Sequence, residues 1–129
     1  EDKKNILSIG NDAKKETIVI FTDPECPYCR QELDGIEERL KTNNVKIIFT
    51  PVHERSSLEE SVLIYNEAAK AKNDAEKIKI MRKYYDENVK YDQKISDAEV
   101  ARIDELKLKY FGAGVKGVPF IKKKKELLK

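Results

Sequence analysis

Cys26 and Cys29 are the chain's two cysteines, and both lie in the stretch FTDPECPYCR, Phe21 to Arg30. Two thiols three positions apart suit one chemistry above others. On a helix, residues at that spacing are neighbours, about 5–6 Å apart at Cβ, so a disulfide closes between them with little backbone movement. Pro27 suits the first position of a helix, where a missing N–H costs nothing. A helix that starts at or near Cys26 presents free N–H groups and the positive end of its dipole to that sulfur. A thiolate is stabilised there, and the cysteine pKa falls from about 8.5 toward roughly 3.5–7.5. The thiolate is the species that attacks disulfides. This predicts Cys26 as the exposed attacking thiol and Cys29 as the more buried resolving one. Pro27 and Tyr28, between them, modulate the pair.

Two blander readings compete. A zinc site needs four ligands, whereas the chain offers two cysteines and one histidine, His53. A structural disulfide closing so small a loop adds little stability through chain entropy. The spacing and the helix start favour a redox pair.

The surrounding elements must place these sulfurs. ETIVIFTD is β-branched and apolar from Thr17 to Thr22 and reads as a buried strand, preceded by the turn residues Gly10, Asn11 and Asp12. Leu33, Ile36, Glu37 and Leu40 then fall at helical spacing, and Asn43-Asn44 ends the run. VKIIFTPV, Val45 to Val52, is a second strand closed by Pro51. The three form a β-α-β unit with a parallel pair and a right-handed crossover. Three helical stretches follow, each opened by a capping-box pattern: Ser57-x-x-Glu60, Asn73-x-x-Glu76 and Ser96-x-x-Glu99. Behind these starts lie Val62, Leu63, Tyr65, Asn66 and Ala69, then Ile78, Ile80, Met81, Tyr84 and Tyr85, then Val100, Ile103, Leu106 and Tyr110, each set read as an apolar stripe. Gly112, Gly114 and Gly117 break the helical pattern, and VPFI, Val118 to Ile121, returns to strand. The fold class is α/β.

The 129 residues are about one domain long, and a chain of that size buries roughly two thirds of its unfolded surface without a disulfide staple. Charged residues reach 39% but nearly cancel at +2, which fits a solvated helical surface and not the one-signed stripe that nucleic acid requires. No apolar run approaches membrane-spanning length. The first residue is Glu1 and no leader is visible, so a mature or trimmed chain is expected.

The strand, CPYC, helix and distant GVPF together resemble the thioredoxin-fold disulfide oxidoreductases. The segment FTDPECPYC is similar to the active-site segment of the DsbC/DsbG disulfide isomerases of the bacterial envelope, and the resemblance runs from about Ile18 to Ile121. It implies a thioredoxin-like fold with a helical insertion, about 56–110, between the β-α-β half and the proline strand, the whole of 1–129 forming one catalytic domain. It implies that Val118-Pro119 is a cis-proline loop beside the cysteines, with the backbone of Val118 pairing an extended substrate peptide. It also implies a periplasmic thiol–disulfide interchange protein that acts on cysteine-containing unfolded or misfolded secreted proteins. Such a protein is served by a membrane redox partner that reoxidises or reduces the pair, and it needs no metal or organic cofactor. Val before the proline is the DsbA-like choice, whereas DsbC and DsbG commonly carry Thr, so oxidase and isomerase both stand. The acidic residue that thioredoxin and DsbA carry six positions before the first cysteine is here Ile20. The isomerases dimerise through an N-terminal domain, so a homodimer would need a segment beyond this sequence. About sixteen residues precede the first expected strand, and the ending KKKKELLK leaves little chain for a further strand and closing helix. Two alternatives are a periplasmic chaperone and a metal-handling module built on Cys26, Cys29 and His53.

The secondary candidates take plain readings. His53 reads as an exposed loop histidine. Asp23, Glu25 and Arg30 flank the cysteines; Glu25 and Arg30 read as solvated, although Glu25 close to Cys26 would oppose a thiolate and Arg30 would favour it. Tyr84, Tyr85, Tyr91 and Tyr110 read as core and boundary packing. Lys122 to Lys125 reads as protection of an edge strand.

Overall fold

A computed structural model describes residues 6–52, 54–115 and 117–124. His53 and Lys125, read above as a loop histidine and part of an edge cluster, lie outside them.

The expected first strand is β2 (Glu16–Thr22), and the second is β3 (Asn43–Phe49). They pair in parallel, Ile18 opposite Val45 and Phe21 opposite Ile48. Ile18 and Ile20 pack on one side of the sheet and Val19 and Phe21 on the other. Burial on both faces explains why this strand reads as an unbroken apolar run and not as an alternation. β4 (Phe120–Lys123) lies antiparallel to β2, with Phe120 opposite Phe21, and forms one sheet edge. Lys122 and Lys123 lie on it as expected for a guarded edge, Lys123 facing Glu16 at 3.7 Å.

The other edge is a strand the sequence reading missed. β1 (Leu7–Ile9) runs antiparallel to β3, with Leu7 opposite Ile47 and Ile9 opposite Val45, giving the order β1-β3-β2-β4. Gly10 ends it at φ +82°, in the left-handed region. A Cβ there would sit 2.9 Å from Asn44 Oδ1, which itself accepts from Asp12 N at 3.0 Å. Both the backbone angle and the contact oppose a side chain, so Gly10→Ala is expected to destabilise the protein by about 1–3 kcal/mol, read as a lowered thermal midpoint. An unchanged midpoint would show that this corner tolerates a different path.

Between β2 and β3 the expected single helix is two, α1 (Pro27–Asp34) and α2 (Ile36–Thr42). The break falls at Gly35, whose φ of −98° and ψ of 15° leave the helical well. Leu33 and Ile36, the buried residues on either side, still reach the same core. The helical block is α3 (Arg55–Ala68), α4 (Asp74–Tyr85) and α5 (Asp97–Gly112), lying between β3 and β4 in sequence as the expected insertion does. Asn73 caps α4 through Glu76 N, and Ser96 with Glu99 makes a complete capping box on α5. The first capping box is not formed. α3 starts two residues before Ser57, with Glu54 at its N-cap and no side-chain cap. Nor does α3 carry a simple stripe, since Glu60 to Tyr65 are all buried and Ala69 is exposed. It packs between α4 and α5 and has little outer face. Tyr84 and Tyr85 are buried in the main core, Tyr91 packs at its margin and Tyr110 packs against the smaller cluster on the other side of the sheet, as read. No described helix is long and apolar enough to cross a membrane.

Candidate active site

β2 ends at Thr22, and a four-residue turn leads to α1. Cys26 N donates to Asp23 O at 3.1 Å, and Cys26 occupies the N-cap of α1 in extended backbone geometry. Pro27 takes the first helical position, as expected. The Cys26 sulfur makes no capping hydrogen bond to the helix. It is therefore left free at the end of the helix where N–H groups lack intrahelical partners.

Cys26 is 6% exposed and Cys29 1%, and both are free thiols. The order of exposure is the expected one, but Cys26 is not an open thiol. The cover comes from a residue 92 positions away: its Sγ donates to the Val118 carbonyl at 3.8 Å. The Val118–Pro119 peptide is cis, and Pro119 leads directly into β4. The chain thus brings together Cys26, Cys29 and Val118, while Pro27 and Tyr28 face outward, Tyr28 with 69% exposure.

The two sulfurs have different surroundings. Burial pushes the Cys29 thiol up to about 12, hydrogen bonds from Thr22 and the Asp23 backbone pull against it, and the contact with Cys26 pushes the same way as burial. Cys29 is therefore a protonated thiol at neutral pH. Thr22 Oγ1 is also 2.9 Å from the Tyr85 hydroxyl, whose own ionisation burial pushes well up. Ile20, on β2, is buried and supplies no carboxyl, as its identity predicts.

Glu25 and Arg30 are not solvated as the sequence reading has them, and Asp23 is anchored with them. Asp23 is fully buried. Its Oδ1 accepts from Glu25 N at 2.9 Å and from the Ser57 hydroxyl, and its Oδ2 accepts from Val52 N at 2.8 Å. Glu25 is half-buried and accepts from the Ser56 hydroxyl. Arg30 is half-buried, and its Nε donates to the Tyr85 carbonyl. The physical reason is the helical block: α3 brings Ser56, Ser57 and Glu60 over the loop and removes it from water. Thr22, Tyr85, Ser56, Ser57 and Glu60 are site neighbours that sequence reasoning missed. Ser57 and Glu60 were singled out, but as a helix cap. A serine that donates to a carboxylate and one that caps a helix look the same in sequence. The metal-handling reading needed His53, which lies outside the described residues.

Residues 3–122 match the thioredoxin-like domain family. No curated protein matches the sequence. Among solved structures, Helicobacter pylori DsbG is 28% identical with a TM-score of 0.83, over 94% of this chain and 56% of that one. The thiol-disulfide exchange protein alpha-DsbA2 of Wolbachia pipientis is 15% identical with a TM-score of 0.65, over 90% and 74%. A periplasmic thioredoxin-like protein of Salmonella enterica serovar Typhimurium is 22% identical with a TM-score of 0.52, over 95% and 79%. The chain thus spans little more than half the length of the DsbG it resembles. The likeness to Dsb proteins read from CPYC and GVPF holds across the fold.

Proposed function

The chain belongs to the thioredoxin-like domain family, and on that premise we propose that it is a periplasmic thiol–disulfide interchange protein whose working groups are Cys26 and Cys29. One observation carries the reading. A free sulfur at the N-terminus of α1 touches both a protonated thiol one turn away and the backbone carbonyl of Val118. In the proposed cycle, a thiolate of an unfolded secreted protein attacks Cys26 of the disulfide form. The Cys26–Cys29 bond breaks, a mixed disulfide forms, and Cys29 leaves and takes a proton. A second substrate thiolate then attacks the substrate sulfur of that bond. The substrate leaves oxidised by two electrons, and the Cys26 sulfur departs as the leaving group of that exchange. Val118 offers its carbonyl to an extended substrate segment, and Pro27 and Tyr28 shape the exposed approach. Residues 1–129 act as one catalytic domain with the block at about 56–110 as its insertion. The dimer and the membrane redox partner belong to the same reading. The likeness to DsbG and to a periplasmic thioredoxin-like protein supports it.

The disulfide form, mixed with a reduced, unfolded protein rich in cysteines, is expected to pass its disulfide on, and Cys26→Ala to abolish the transfer. The redox potential and oligomeric state then divide the two activities. A monomer poised near roughly −120 mV is an oxidase, and a dimer resting as the dithiol is an isomerase. Failure of Cys26 and Cys29 to form a reversible disulfide at all would overturn the reading.

A further inference from the structure

One buried ionisable group has no part in that cycle. Glu60 lies on α3 with 5% of its surface exposed, and its Oε1 has no hydrogen-bond partner among the described residues. The charged and titratable groups around it are Glu25 and Asp23 from the loop before Cys26, Arg30 from α1 and Tyr91 from beyond α4. On its own helix, Glu59 pairs with Arg55 at 3.0 Å and accepts from the Tyr91 hydroxyl at 2.8 Å. The Glu60 and Glu25 carboxyls are within hydrogen-bonding reach of each other. Two ionised carboxylates both accept and neither donates, so this contact becomes a hydrogen bond when one of them holds a proton. Among the described residues these acids do not converge as a metal-ligand set. A proton is the cation that fits.

We infer that Glu60 and Glu25 share one proton between the inserted helical block and the redox loop, and that Glu60 is thereby a positioning residue that couples the charge on Cys26 to protonation of the block. The inference rests on the thiol–disulfide reading above. Burial, then the charge of Glu25, lifts Glu60 from the ordinary 4.5 to about 8, with Arg30 opposing and Asp23 adding to the rise. At neutral pH the shared proton therefore resides on Glu60. Glu25 adjoins Cys26 in the chain, so an ionised Glu60 adds negative charge to the loop that carries that sulfur. When a substrate dithiol reduces the disulfide, two electrons pass to the two sulfurs and the substrate gives up two protons. Cys29 keeps one. Where Cys26 is left as the thiolate and Glu60 is partly ionised, Glu60 takes up the other, because the new negative charge strengthens its hold on a proton. Linkage makes this reciprocal, and a protonated Glu60 favours the thiolate.

The test follows the glutamate side-chain carboxyl carbons by NMR as pH is raised, in the disulfide and dithiol forms of the whole chain. Glu60→Gln identifies the resonance. Glu60 is expected to titrate near 8, about one pH unit higher in the reduced form than in the oxidised. Glu25→Gln, which removes the neighbouring charge, is expected to lower the Glu60 midpoint, and it serves alone should Glu60→Gln not fold. A stability readout independent of thiols goes with it. The native state holds a proton that the unfolded chain has lost, so wild-type stability falls as pH rises from 4.5 to about 8, and Glu60→Gln flattens that fall. Titration of Glu60 in the ordinary carboxylate range overturns the shared proton, and equal midpoints in the two redox forms overturn the coupling. A protein with the expected Glu60 titration but no reversible Cys26–Cys29 disulfide would instead sink the redox reading and leave the shared proton standing.

Discussion

Given a disulfide-bonded substrate, which Cys26 attacks and Cys29 then releases in the wild type, Cys29→Ala is expected to hold the substrate as a mixed disulfide through Cys26, visible as a covalent adduct on a non-reducing gel. The reason lies in the difference between the two sulfurs. Cys29 is buried beside Thr22 and Cys26, and its thiol is pushed up to about 12, chiefly by burial. As a free nucleophile it would be nearly inert at pH 7, with a thiolate fraction on the order of 10⁻⁵. Against a mixed disulfide on Cys26 it has a different advantage, because its target is in contact. Well-placed intramolecular groups act with effective molarities of about 10⁵ M and above, which offsets so small a thiolate fraction. Removing Cys29 removes that advantage, and release by outside thiols is expected to be slower by roughly 10³-fold or more. The wild type provides the complementary readout. Since the whole range from pH 6 to 9 lies well below the Cys29 value, release through Cys29 is expected to speed up about tenfold per pH unit. Adducts that form equally well on Cys26→Ala, or a release rate indifferent to pH, would show that the roles of the two sulfurs are misassigned.

The residues explain why some of this was legible in sequence and some was not. Thr17 to Thr22 announces a strand by composition alone, and Pro27 announces a helix start, because each signal is local and is satisfied locally. Ser96 with Glu99 is the same kind of signal, and both halves of its capping box form. β1 is three residues long, and its identity as a strand depends on Val45 to Ile47, more than thirty positions away. Gly35 gives no break signal in the sequence because the apolar spacing continues across it, and that spacing survives the break. The site shows the same division. The cysteines are three positions apart in sequence, and that spacing carries their chemistry. The cover over Cys26 is supplied by Val118, and the burial of Asp23 and Glu25 is supplied by α3. Both are facts of packing that no window around CPYC contains. The missed charges all sit where an inserted element closes over the loop, and there a polar residue is anchored instead of solvated.

Asp23→Ala is expected to cost about 3 kcal/mol, the largest loss of stability for a single change near the site. Asp23 is fully buried, and its carboxylate collects the amides of Glu25 and Val52 and the hydroxyl of Ser57. It therefore ties together the redox loop, the exit from β3 and the start of α3. Alanine leaves those three donors without this acceptor, at about 1–3 kcal/mol for each one that water cannot reach. Removing a buried charge also removes its desolvation penalty, which is why the net figure is well below the sum. The measurement is a denaturant midpoint at pH 7 with the slope unchanged, and a loss under about 1 kcal/mol would show that water enters and satisfies the donors. Ser57 allows a sharper check. Ser57→Ala alone removes one donor from Asp23. In the Asp23→Ala background its hydroxyl has already lost that acceptor, so the same substitution is expected to cost less there than in the wild type. Strict additivity of the two changes would mean that α3 and the redox loop are held together by something other than this hydrogen bond. The route by which Glu60 reaches Cys26 would then be broken as well, since the same contact seats α3 on the loop.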